Sequence, residues 1–228
     1  MTGRRPQQQR GHEKRKAVLE GAARMFDRVG FAQASLSDIA RESGVTSGAA
    51  YFYFQSKEDM ALAIINEQNA RTFAALGSSA SSTGALEGLI LASRTIADLI
   101  LTDEVVRAGL RLSLEQGTLS GPTQGFYVDW MAGVAQAFER AEFRNELATT
   151  LSPIVLSRTL VMFFTGVQLV TSVLDGRKSL YPTVEAMWRV FIPGVAACEL
   201  VDPLMRVATE VFNVPYDSHD DLTGTGTE

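Results

Sequence analysis

The chain has a single cysteine, Cys198, and two histidines, His12 and His219, in 228 residues. One cysteine excludes an internal disulfide framework and a Cys-rich metal site, and fits a reducing cytosol. Both histidines fall in polar terminal segments, so neither can serve a buried active site. No Ser/His/Asp set, metal-ligand cluster or glycine-rich phosphate loop stands in the sequence. An enzyme is therefore not expected, and neither a metal nor another cofactor is. The start, "MTGRRPQQQRGHEKRK", never develops an apolar core and does not read as a secretory signal. The most apolar stretch, 160–174, carries Thr165, Gln168, Thr171 and Ser172. It reads as too short to span a bilayer and as a buried core helix, so no membrane partner and a cytoplasmic location are expected.

What charge there is lies unevenly. The net charge is −5, but residues 1–60 hold 10 basic and 7 acidic residues against 11 and 19 over 61–228. Six of the first 16 residues are basic and one is acidic. A basic head on an acidic body suits a chain whose N-terminal end meets a polyanion.

Period-two alternation is absent, and the apolar positions recur at helical spacing throughout, which predicts an all-α fold. Leu19, Ala22, Ala23, Phe26 and Val29 mark a helix over 14–29 closed by Gly30. Ser35 with Asp38 makes a capping box for a short helix stopped at Gly44, and Thr46 can cap another. Ser56 with Asp59 opens a long helix to about 76. After the small-residue break at 77–84, helices are expected at about 85–101, 104–115, 122–145, 153–174, 183–199 and 203–212, punctuated by Gly and Pro. Pro193 should end or kink the fifth of these. Residues 1–12 read as a disordered basic tail, 13–60 as a DNA-binding head, 61–213 as a helical body and 214–228 as a disordered polar tail.

Two short helices joined through Gly44 and Val45 after a supporting helix make a helix-turn-helix, with a small core of Phe31, Leu36, Ile39, Ala40 and Val45. The second short helix would enter the major groove of DNA. Of the aromatic run Tyr51-Phe52-Tyr53-Phe54, the two phenylalanines are expected to pack inward. The two tyrosines would offer hydroxyls to phosphate, with the Lys57 charge close by.

"GVTSGAAYFYFQSKEDM" resembles the signature that closes the DNA-binding domain of the TetR family of regulators, and "AARMFDRVGFAQASLSDIARESGVT" resembles its first two helices. The likeness covers about residues 14–66. By position it implies DNA contacts at Ser37, Thr46, Ser47, Gly48, Tyr51, Tyr53 and Lys57. Ala50 replaces a larger apolar residue of the pattern, and Ser47 stands where relatives often carry Lys. A hydroxyl reads several bases where a lysine favours guanine.

Further along, "EVVRAGLRLSLEQG" at 104–117, Trp130 and "FFTGVQ" resemble the γ-butyrolactone receptor branch of that family. This likeness implies a repressor that leaves palindromic operator DNA when a small butyrolactone-like or butenolide-like signal binds, controlling secondary metabolism. It also implies a homodimer through the late helices, and ligand contacts at Gln68, Trp130 and Thr165. The residues themselves add Phe126 and Val134 around Trp130, and Val161, Met162, Gln168 and Leu169 around Thr165. An apolar cavity with a few polar fixers is how a small hydrophobic ligand is held. An alternative within the family is a sensor of antibiotics or lipophilic drugs, which would favour buried acids. The candidates Asp98, Asp129 and Glu139 read as surface positions.

Overall fold

The computed structural model describes residues 4–78, 84–114 and 120–213. Among them it holds ten α-helices and no strand, with one isolated bridge between Leu147 and Ala196. The expected C-terminal tail and most of the break before residue 84 lie outside the described residues.

Four helices build the head: α1 (Arg4–Gln33), α2 (Leu36–Glu42), α3 (Ser47–Tyr53) and α4 (Lys57–Ser78). Helix α1 begins at Arg4, where the sequence predicts a disordered stretch to residue 12. It leaves helical geometry at Gly30 (φ 81°, ψ 171°), the stop expected there. Ser35 caps α2 by accepting from the Asp38 amide at 3.1 Å, and Thr46 caps α3 by accepting from the Ala49 amide at 3.2 Å. Between them Gly44 sits at φ 66°, a left-handed conformation that a Cβ disfavours. The Val45 and Gly44 amides bond back to the Ala40 and Arg41 carbonyls, so the last carbonyls of α2 are satisfied and the chain turns sharply.

The body comprises α5 (Ala85–Thr102), α6 (Glu104–Leu114), α7 (Ser120–Phe143), α8 (Pro153–Asp175), α9 (Leu180–Phe191) and α10 (Cys198–Phe212). A 3-10 turn at Ile192–Gly194 ends α9, the stop predicted from Pro193. Helix α10 starts five residues earlier than expected. Pro203 lies inside it as the sixth residue, so the helix forgoes the bond that an amide there would make to the carbonyl of Glu199.

Two cores meet along α4 and α6. Met60, Ala61, Ile64 and Ile65 of α4 join the head core with Val105, Ala108 and Leu112 of α6. The opposite face of α6, Val106 and Leu110, joins the body core with Ala75 of α4. The boundary expected at residue 60 thus falls inside a helix that both cores share. Ion pairs reinforce the joint: Arg24 bridges Glu42 and Glu104 at 2.8 and 3.4 Å, and Arg107 holds Asp27 at 2.9 Å.

Helix α8 corrects the reading taken from 160–174 alone. At 23 residues and a window hydropathy of 1.6 it is long and apolar enough to cross a membrane by those measures. Its two faces differ. Leu156, Leu160, Val161, Phe164, Val167 and Gln168 are buried, while Ile154, Val155, Met162, Phe163, Val170, Val173 and Leu174 form an exposed apolar stripe.

Candidate nucleic-acid interface and ligand cavity

Helix α3 presents Ser47, Gly48, Tyr51 and Phe52 to solvent, with Thr46 and Ser37 exposed beside them and Tyr53 half-buried. Ala50 and Phe54 anchor it, at 1% and 4% exposure. Phe52, expected inside, is 82% exposed and meets Tyr53 edge-on at 5.2 Å between centroids. The reason is the period. Alternate inward residues belong to a strand, whereas on a helix Phe52 lies about 200° from the buried Ala50. Fixing Ala50 inside would have turned Phe52 out from sequence alone.

Lys57 is also engaged within the fold. Its Nζ donates to the carbonyls of Phe31 and Ala34 at 2.8 and 3.1 Å and lies 4.4 Å from the Phe31 ring centroid. It ties the start of α4 to the end of α1, so its charge is largely committed within the fold. In α2 the Ser35 hydroxyl, and then Arg41, hold the Asp38 carboxyl below its ordinary pKa. Arg24 does the same for Glu42. Both acids stay ionised, each with an arginine partner that offsets its charge.

Inside the body, Gln68, Thr72, Phe126, Trp130, Phe164, Thr165 and Gln168 line one cavity, closed by Ile96, Ile100, Val106 and Leu110. Its free volume is about 10 Å³, room for one water at most. A second cavity of about 30 Å³, lined by Leu76, Leu89, Val134, Leu160, Val161, Met187 and Trp188, shares Ile96, Trp130 and Phe164 with the first. Trp130 stacks on Phe126 at 5.6 Å and meets Phe164 edge-on at 6.3 Å, so these rings partition a polar lobe from an apolar one.

Polar atoms inside the first lobe are under-satisfied. Gln68 Nε2 donates to Thr72 at 2.9 Å, but Gln68 Oε1, Trp130 Nε1 and Thr165 Oγ1 are buried with no hydrogen bond. Burial raises the Tyr127 phenol pKa, and the Thr165 hydroxyl beside it offsets part of that rise without reaching hydrogen-bond geometry. Each orphaned buried group costs about 1–3 kcal/mol, so three on one cavity is a conspicuous expense.

The structure therefore brings together Gln68, Phe126, Trp130, Thr165 and Gln168 in one lobe, and Val134 and Val161 in the other. It does not bring in Met162 or Leu169, which are 56% and 38% exposed on the outer face of α8. Thr165 and Met162 stand three positions apart, yet the helix turns Met162 past the edge of the buried face. Sequence reasoning missed Thr72 and Phe164, whose signals were the i+4 spacing from Gln68 and from Leu160. Among the described residues no carboxylate lines either lobe, and Asp98 is engaged by Arg94 at 2.7 Å.

Residues 18–64 match the bacterial regulatory proteins of the tetR family, and residues 83–197 match the tetracyclin repressor-like C-terminal domain. The chain is 35% identical over 182 residues to the A-factor receptor protein of Streptomyces griseus, covering 79% of this chain and 63% of that protein. It thus spans less than two thirds of that relative's length. Among solved structures it is similar to the TetR family protein CprB from Streptomyces coelicolor in complex with its biological operator sequence. That likeness is 25% identical with TM-score 0.77, over 90% of this chain and 98% of that one. A gamma-butyrolactone receptor (ArpA like protein) is similar at 25% identity and TM-score 0.76, over 90% and 98%. Head and body match within one polypeptide, and the chain belongs to the TetR family of bacterial regulatory proteins.

Proposed function

We propose that this protein is a homodimeric transcriptional repressor, acting in the cytoplasm, that leaves palindromic operator DNA when a small γ-butyrolactone-like or butenolide-like signal enters the interior cavity. Secondary metabolism is the process it would control, by likeness to the A-factor receptor protein and the gamma-butyrolactone receptor. One observation carries the reading: Gln68 Oε1, Trp130 Nε1 and Thr165 Oγ1 are buried without partners on a single cavity. A lactone carbonyl and a hydroxyl would satisfy such a set, while an alkyl chain suits the adjoining apolar lobe. The absence of a lining carboxylate disfavours lipophilic cations.

The cavities hold far less than the roughly 300–1,000 Å³ of a ligand pocket, so a ligand must part the helices to enter. Gln68 lies on α4, whose other half belongs to the head core, so parting α4 from α7 and α8 moves the head. Only a ligand that prefers this parted arrangement releases DNA. The exposed stripe on α8 fits a two-fold partner, which would set two α3 helices at successive major grooves, roughly 34–36 Å apart.

Thr165→Val keeps the side-chain shape and removes the hydroxyl. It should weaken ligand binding by about ten-fold, the worth of one hydrogen bond, with operator affinity unchanged. Unchanged ligand affinity would contradict the placement of the polar group.

A further inference from the structure

A roomier cleft, about 320 Å³, lies where the head meets the body, between the end of α1, α6 and the end of α8. Asp27, Arg111 and Arg177 line it together with Leu110, Leu114 and Val173. Asp27 is already engaged: Arg107 holds its carboxylate at 2.9 Å, and Arg111 donates to its backbone carbonyl. Arg177 is not. Its Nε is buried with no hydrogen bond, and its guanidinium makes no ion pair among the described residues. Burial pushes its pKa down, with Asp27 attracting and Arg107 repelling the charge. Its backbone sits at φ 71°, a conformation L side chains rarely adopt, fixed by its amide bonding to the Thr171 carbonyl at 3.0 Å. Three guanidinium groups thus gather near Asp27, with Arg107 alone pairing its carboxylate, and the fold holds the unpaired Arg177 in place at a conformational cost.

We propose that this cleft binds an amphipathic organic anion: a carboxylate received by Arg177 and Arg111, with a short apolar body against Leu110 and Leu114. A carboxylate matches the planar fork of a guanidinium. The apolar walls, completed by Leu169 and Val173 on the margin of the α8 stripe, select a carbon chain over a bare inorganic ion. Leu110 and Gln168 line both this cleft and the interior cavity, so the two sites adjoin yet hold different groups. An anion here ties α6, which Arg107 and Arg111 already join to Asp27 of α1, to the end of α8 and so braces the head against the body. The site does not depend on the identity of the ligand in the interior cavity.

The test is calorimetric titration of the full chain with hexanoate, 1-hexanol and inorganic phosphate. Hexanoate should bind saturably, with hexanol and phosphate each weaker by about ten-fold or more. Arg177→Asn, which tolerates the left-handed backbone, should lose hexanoate binding by a similar factor, as should the exposed-site change Arg111→Gln. Trp130→Phe, in the interior cavity, should leave it unchanged. No hexanoate binding, equal binding of hexanol or phosphate, or loss on Trp130→Phe with retention in both arginine variants would each overturn the assignment.

Discussion

A Cβ placed on Gly109 would lie 2.5 Å from the Cβ of Gln68, so α6 and α4 touch at this point with no room for a methyl group. The contact joins the helix that carries a polar cavity atom to the helix that completes the head core. Gly109→Ala would gain about 1 kcal/mol of helix propensity, but overpacking costs about 1–3 kcal/mol. The obstructing atom is a Cβ and cannot swing away, so the net effect should be destabilising, seen as a lower thermal midpoint. Gln68→Ala should not rescue it, because that Cβ remains. Gln68→Gly should, and a double-mutant cycle measures the coupling.

Lys57 and Tyr51 should separate stability from DNA binding. Lys57→Ala removes two bonds to carbonyls at and just after the end of α1 and should lower unfolding free energy by about 1–2 kcal/mol in denaturant titration. Tyr51→Ala, half-exposed on α3, should change stability by about 0.5 kcal/mol or less while weakening operator binding in fluorescence anisotropy. A Lys57→Ala protein of full stability that no longer binds DNA would reverse the roles given to these residues.

Trp130→Phe keeps a ring between the two lobes but deletes the unpartnered Nε1 and shrinks the wall. Operator affinity should stay within about two-fold, while the ligand concentration for half-release rises about ten-fold. Normal release from this variant would place the ligand elsewhere.

At alkaline pH the joint of α5 with α9 should fail first. Burial and the neighbouring Asp98 push the Tyr181 phenol from 10.0 up to about 12. A folded pKa above the unfolded one means its contribution is intact below pH 10. It is lost as pH rises through the window from 10 to about 12. Tyr181→Phe should flatten the stability profile across that window, measured by thermal denaturation at a series of pH values.

Local features were legible in the sequence. Ser35, Thr46, Gly44 and Pro193 speak through their own backbone chemistry, and each cap or stop stands where the sequence predicts it. Gln68, Trp130 and Thr165 converge on one cavity because helical spacing settles which face they occupy, with the resemblance choosing among the faces. Orientation was lost where two periods compete, as at Phe52, and at the edge of a stripe, as at Met162 and Leu169. The double membership of α6 was not legible. Val105 and Val106 are neighbours in sequence yet join different cores, which only the packing of α6 between α1 and α4 decides. Arg177 was equally silent, because Asp27, Arg111 and Arg177 meet only in the folded chain.

The central claim is that a small signal in the interior cavity releases the protein from DNA. It is tested most directly by gel-shift release of the full-length protein from a selected palindromic operator, against a panel of butyrolactones, butenolides and furans. A member of the panel should release the DNA from the wild type, and only at markedly higher concentration from Thr165→Val and Trp130→Phe. Release that is equal in all three proteins, or a wild type that holds DNA against the whole panel while binding lipophilic cations instead, would contradict it.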